Sequence, residues 1–115
     1  MKEYAVEITQ TAEAALHAHA RYIAVEKREP MEAIRWLESA IDGVRSLRHM
    51  PMRCSLAEEN SAVAYEVRQL LVGSPALLLT IDEERQTVWV FAFRGQGQLP
   101  RLNELPPDLG SIRRK

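Results

Sequence analysis

Cysteine is almost missing from this 115-residue chain: Cys54 stands alone and can form no internal bridge. The fold is therefore not a disulfide scaffold, and it suits a reducing compartment such as the cytoplasm, or any compartment in which disulfides are not needed. Long apolar runs are missing too. No segment approaches the roughly 20 apolar residues of a membrane span. The stretch from Met1 to Gln10 alternates charged and apolar side chains where a signal peptide would carry an apolar core. Neither sign of charge is in excess, since 15 Lys and Arg against 16 Asp and Glu leave a net charge of -1. Such neutrality is uncommon in a protein whose main task is to hold a polyanion. No repeat or low-complexity segment interrupts the chain. What is present, 46% hydrophobic and 27% charged residues, is the make-up of one compact domain and excludes fibrous, collagenous and largely disordered proteins. At this length folding buries about 65% of the surface that the unfolded chain exposes, enough for one core without metal or disulfide support.

Residues 4 to 9 alternate, with Tyr4, Val6 and Ile8 on one face, the period of a half-buried strand. A helix follows. Thr9 or Thr11 caps it, Glu13 lies in its first turn, Lys27 and Arg28 lie in its last, and Ala12, Ala15, Leu16, His19, Tyr22 and Ile23 form one stripe. Pro30 suits the first position of a second helix, with Glu32 in its first turn. Its apolar stripe is Ile34, Leu37, Ile41, Val44 and Leu47, widened by Ala33, Trp36 and Ala40. The short connection makes the two helices an antiparallel hairpin. Residues 51–61 show neither period and read as an ordered loop. Beyond them the period is two. Residues 63–72, 76–81 and 87–94 are three strands, joined through Gly73-Ser74-Pro75 and the acidic turn Asp82-Glu83-Glu84, hence antiparallel neighbours.

The predicted fold is α+β in the order β-α-α-β-β-β, a helical hairpin packed on one face of a small, mainly antiparallel sheet. Residues 1–94 form the domain, and 95–115 a tail whose Pro100, Pro106 and Pro107 exclude a long helix. Both faces of the last two strands are apolar: Leu77, Leu79 and Ile81 alternate with Ala76 and Leu78, and Val88, Val90 and Ala92 with Trp89, Phe91 and Phe93. Two helices cover only one face. The tail, a second copy or a partner protein must cover the other, and Leu70, Leu78, Trp89, Phe91 and Phe93 are the candidate partner-binding residues.

Tyr4 to Thr9, Tyr22-Ile23-Ala24, Ala33 to Leu37, Pro51 to Asn60 and above all Glu66-Val67-Arg68-Gln69-Leu70-Leu71-Val72-Gly73 resemble, in order and spacing, the RelE/ParE superfamily of type II toxins. The resemblance runs from residue 4 to about residue 94. It implies a toxin neutralised by a small antitoxin whose C-terminal segment wraps it. It also implies one of two activities: the RelE branch resembles a ribosome-dependent mRNA endonuclease, and the ParE branch is a DNA gyrase inhibitor.

Cleavage of the RelE kind needs basic groups on the scissile phosphate and an acid-base pair for the 2'-hydroxyl and the leaving oxygen. Arg68 and Arg94 are the matching catalytic candidates, Arg68 projecting from the sheet away from the apolar set. The plainer alternative pairs Arg68 with Glu66 or a neighbouring carboxylate and leaves Arg94 a solvated strand end. Relatives commonly follow the last-strand arginine with His or Tyr, but here Gly95, Gln96, Gly97 and Gln98 follow it, and Ser74-Pro75 stand where others carry basic residues. His17 and His19 are two apart on a helix and cannot share a metal. His19 reads as a core histidine and His49 as the end of the second helix. Cys54 reads as a buried loop thiol. Gly95-Gln96-Gly97 lacks the strand-loop-helix setting of a phosphate loop, and Trp36 and Trp89 read as packing. No metal and no cofactor is expected. Arg113, Arg114 and Lys115 put a small basic cluster at the end. The favoured reading is a ParE-like binding module that inhibits a protein target such as gyrase, meets a cognate antitoxin, and binds neither membrane nor, without the antitoxin, DNA. The alternatives are a RelE-like endonuclease acting at the ribosome through Arg68 and Arg94, and a toxin fold that has lost its toxicity.

Overall fold

The computed structural model describes residues 2–95 and 105–113. Strand β1 (Ala5–Ile8) gives way at Thr9 to helix α1 (Gln10–Val25). Of the two threonines, Thr9 is the cap. Its backbone is extended and its hydroxyl accepts the Ala12 N–H at 3.2 Å, filling one of the donors that a helix start leaves open. Helix α1 stops at Val25, so Lys27 and Arg28 lie beyond its last turn, and Arg28 takes a left-handed φ of 55° in the link. Ala12 and Leu16 are buried, whereas Tyr22 is half exposed.

Helix α2 (Pro30–Ser46) starts on its proline, whose missing N–H falls among donors that have no helical partner anyway. Its inward row differs from the predicted one. Ala33, Ala40 and Leu47 are buried with Trp36 and Val44 against the core, while Ile34 and Ile41 are exposed at 52% and 38%. Small residues explain the rotation, because they let α2 lie close over the sheet: a Cβ at Gly43 would come within 3.1 Å of the Leu70 side chain.

The remaining strands are β2 (Ser55–Leu56), β3 (Arg68–Leu71), β4 (Ala76–Asp82) and β5 (Thr87–Arg94), and the sheet order is β1-β5-β4-β3-β2. The β1–β5 pair is parallel and the rest are antiparallel. Two corrections to the sequence reading fall here. The region read as a 51–61 loop holds two short 3-10 helices, Pro51–Arg53 and Glu58–Ala62, and between them the edge strand β2, which makes the sheet five-stranded. The strand expected at 63–72 forms only at 68–71. Asn60 Oδ1 accepts the Val67 N–H at 2.8 Å and the Val67 carbonyl accepts the Ala57 N–H at 2.9 Å, so 57–67 folds back on itself.

A β-bulge changes the faces of β5. Leu78 pairs with Ala92 and Leu79 with Val90, leaving Phe91 as the extra residue. Up to Val90 the predicted alternation holds. After the bulge it inverts: Ala92 joins Trp89 and Phe91 on one side, and Phe93 joins Val88 and Val90 on the other. The helices cover the face holding Leu77, Leu79, Val88, Val90 and Phe93. The other face is covered by the chain itself. Ala57, Val67, Leu78, Phe91 and Ile112 are buried together there, with Leu105 and Leu109 packed on them. Ile112 belongs to α3 (Leu109–Arg113), a five-residue helix within the tail.

Candidate functional site

Arg68 and Arg94 were expected to work together, but the sheet separates them. Arg94 Nη2 donates to Gln69 Oε1 at 2.7 Å. Arg68 is the neighbour of Gln69 on β3 and by strand alternation points to the opposite face, the one on which Leu70 meets the helix-side core. That corrects the expected direction of Arg68. Its guanidinium donates to the Cys54 carbonyl at 2.6 Å and the Met52 carbonyl at 3.1 Å and pairs with Glu66 at 2.8 Å. It thus ties the 52–54 loop to the sheet, and the Glu66 pairing is the one weighed from sequence.

Arg94 is not a solvated strand end. The bulge at Phe91 turns it onto the tail face, where its Nε meets Glu59 Oε2 at 3.0 Å, and the Glu59 side chain is only 1% exposed. Glu59 Oε1 is buried without a hydrogen-bond partner among the described residues. Burying this carboxylate without Arg94 would be costly. Nothing in the sequence distinguishes Glu59 from the exposed Glu58 beside it, so this partner was missed. A second pair closes the same face. Arg113 reaches Asp82, itself 1% exposed, at 2.7 Å, and lies 3.7 Å from Glu84. The Arg113 guanidinium holds the Asp82 carboxyl below its usual range. Arg113 is therefore committed to the acidic turn, while Arg114 and Lys115 of the expected basic cluster lie outside the described residues. Tyr65 adds a further tie, its hydroxyl donating to the Pro106 carbonyl at 2.7 Å, and burial pushes its phenol up to about 12.

The five candidate partner-binding residues divide between the faces. Leu78 and Phe91 are buried under the tail at 2% and 3% exposure with Trp89 beside them, whereas Leu70 and Phe93 pack into the helix-side core. Phe93 meets His19, with ring centroids 5.3 Å apart, and His19 lies 4.5 Å from Trp36. Burial pushes the His19 imidazole below its ordinary pKa. An open cleft of about 700 Å³ lies beside it, lined by His19, Tyr22, Lys27, Trp36 and the Gly73–Pro75 turn, and neither candidate arginine lines it. His49 lies past the end of α2, 3.7 Å from Glu3. Cys54 is buried, and burial pushes its thiol up despite the nearby Arg53 and Arg68. Of the Gly95–Gln98 stretch only Gly95 is described. Among the described residues no group of three or more His, Cys, Asp or Glu is placed to hold a metal ion, and no helix is long and apolar enough to cross a membrane.

A helical hairpin on a mainly antiparallel sheet is the fold the resemblance implied. The family described as "ParE toxin of type II toxin-antitoxin system, parDE" matches residues 6–100. The chain belongs to the ParE toxin family. No curated protein sequence matches it. Among solved structures, a chain of the chromosomal ParDE toxin–antitoxin system from P. aeruginosa is similar, with a TM-score of 0.60 and 16% identity over 79% of this chain and 94% of that one. So low an identity speaks for the fold alone. The ParE family match reaches into the tail but ends before residues 105–113, which here seal the second face.

Proposed function

We propose that this ParE-family toxin arrests growth by binding DNA gyrase in the cytoplasm, and that a ParD-type antitoxin holds it inactive. The observation that carries the binding reading is the commitment of both candidate arginines, on opposite faces of the sheet, to partners within the chain. Phosphodiester cleavage through a 2'-hydroxyl needs charge stabilisation and proton transfer at one locus. A gyrase target rests on family membership. For the antitoxin, the open edge of the sheet offers a seat. The two-residue β2 leaves the backbone of Leu70 and Leu71 without a strand partner on that side of β3, and Leu56 and Leu71 are exposed along it at 50% and 60%. An added strand would satisfy the backbone there. Leu78, Trp89 and Phe91 join a partner contact only when 105–113 is displaced.

The test is a supercoiling assay with purified gyrase and increasing toxin, run beside primer extension on a translated message with toxin equal to ribosomes. Inhibition of supercoiling relieved by the antitoxin, with no codon-positioned cuts, is the expected result. Cuts that vanish in Arg68→Ala would move the chain to the nuclease reading. No growth arrest on induction would make it a toxin fold without toxicity.

A further inference from the structure

The cleft of about 700 Å³ beside His19 takes no part in the contacts described so far, and its volume is within the roughly 300 to 1,000 Å³ of small-molecule sites. A proline shapes one side of it. Gly73 and Ser74 form a two-residue hairpin turn between β3 and β4, in which Gly73 takes a φ of 69° and the Val72 N–H donates to the Pro75 carbonyl at 2.9 Å. The reciprocal bond is impossible because Pro75 has no N–H. The Val72 carbonyl instead accepts from the Trp36 indole Nε1 at 3.0 Å, which fixes that ring at the cleft. His19 packs on Trp36 and Phe93, and Tyr22, half exposed, extends the aromatic wall outward.

The polar lining of the cleft has one sign. It includes Lys27 and, among the described residues, no Asp or Glu, in a chain that carries 16 of them. The Lys27 ammonium lies 5.8 Å from the Tyr22 ring centroid and has no ion-pair partner among the described residues. The exposed turn adds the Ser74 hydroxyl and the Gly73 and Ser74 N–H groups, which have no acceptor among the described residues. An ammonium, two amides and a hydroxyl suit the three oxygens of a phosphate better than the two of a carboxylate. Beside them, the open faces of Tyr22 and Trp36 suit a planar base. A single lysine also limits the anion, since a longer polyanion would find no cation for its next phosphate. We propose that this cleft binds a free mononucleotide, with its base on Tyr22 and Trp36 and its phosphate at Lys27 and the Gly73–Ser74 turn. Neither candidate arginine lines the cleft, so the inference does not depend on the toxin's target.

Amide NMR of the ¹⁵N-labelled full chain, made by cell-free synthesis without antitoxin, tests it by titration with AMP, GMP, CMP and UMP. At least one should shift the Lys27, Gly73 and Ser74 amides and the Trp36 indole saturably, with a Kd below about 1 mM. The matching nucleoside and inorganic phosphate alone should each bind at least about tenfold more weakly, because each keeps only half of the contacts. Lys27→Gln should weaken the mononucleotide about tenfold and Tyr22→Ala about fivefold. Circular dichroism melts should stay close to wild type, since both side chains reach solvent. No saturation by any of the four at about 5 mM, a nucleoside that binds as well as its phosphate, or binding indifferent to both variants would each overturn the proposal. So would benzoate binding as tightly as the best mononucleotide, or shifts centred on Arg68 or Arg94. A single-stranded hexanucleotide that binds more than about tenfold tighter than the mononucleotide would replace it with a nucleic-acid site.

Discussion

On the helix face of the sheet, Leu77, Leu79, Val88 and Val90 lie beneath two long amphipathic helices, and the buried contacts are almost wholly hydrocarbon. On the tail face, Leu78 and Phe91 lie beneath 57–67 and 105–113, segments with no hydrophobic period, and two carboxylates are buried there, each held by one arginine. The first face gains its stability from apolar area, which tolerates small errors of angle. The second has covering pieces too short to orient themselves, and the pairs Arg94–Glu59 and Arg113–Asp82 fix them through directional contacts. A helix of five residues has no stability of its own. Tertiary contacts hold α3.

The comparison can be broken most forcefully on the helix face. Leu79 is fully buried, so Leu79→Ala should cost about 2 to 5 kcal/mol, lowering the urea midpoint of the whole domain in one transition. A loss well under 1 kcal/mol would mean that this face is not the main core.

On the tail face, Arg94→Ala leaves the Glu59 carboxylate buried without its counter-charge and should cost about 3 kcal/mol, less if water reaches the partly exposed guanidinium position. Arg68→Ala removes a more exposed pairing and two carbonyl contacts and should cost about 1 kcal/mol. Equal losses in chemical denaturation would erase the distinction between an arginine that serves a buried carboxylate and one that serves an exposed carboxylate.

Thr9→Ala should cost about 1 kcal/mol through loss of the α1 cap, and Thr9→Ser, which keeps a hydroxyl facing both the Ala12 N–H and the Phe91 carbonyl, should retain most of it. The smallest expected effect is confined to acid. Because Arg113 lowers the Asp82 pKa in the folded state, their contribution is complete above the unfolded carboxylate value of about 3.9 and fades as pH falls toward and through the lower folded value. Asp82→Asn should therefore flatten the stability profile below about pH 4. An unchanged acid limb in thermal melts at several pH values would contradict the pairing.

Much of this architecture could be read directly from residue spacing. A threonine cap at 9 or 11, the Pro30 start, the helical hairpin and the pairing of β4 with β5 all follow from contacts within a few residues or across a short turn. The two arginines could be named only through the family resemblance. Their directions could not, because direction depends on alternation and a single inserted residue inverts it. The row of α2 that faces inward was also misjudged. Ile34 and Ile41 are more apolar than Ala33 and Ala40, yet the small residues allow the closer approach.

Periodicity within the chain determined that this is a helical hairpin on a small sheet with two apolar faces, since helix and strand repeats are set by contacts between near neighbours. The tertiary structure alone decided what covers the second face and where the arginines point. The bulge at Phe91 turns Arg94 toward Glu59, 35 residues away, and α3 returns Arg113 to Asp82 across 31 residues. Contacts at such separations leave no periodic trace, because they depend on where the rest of the chain places both partners.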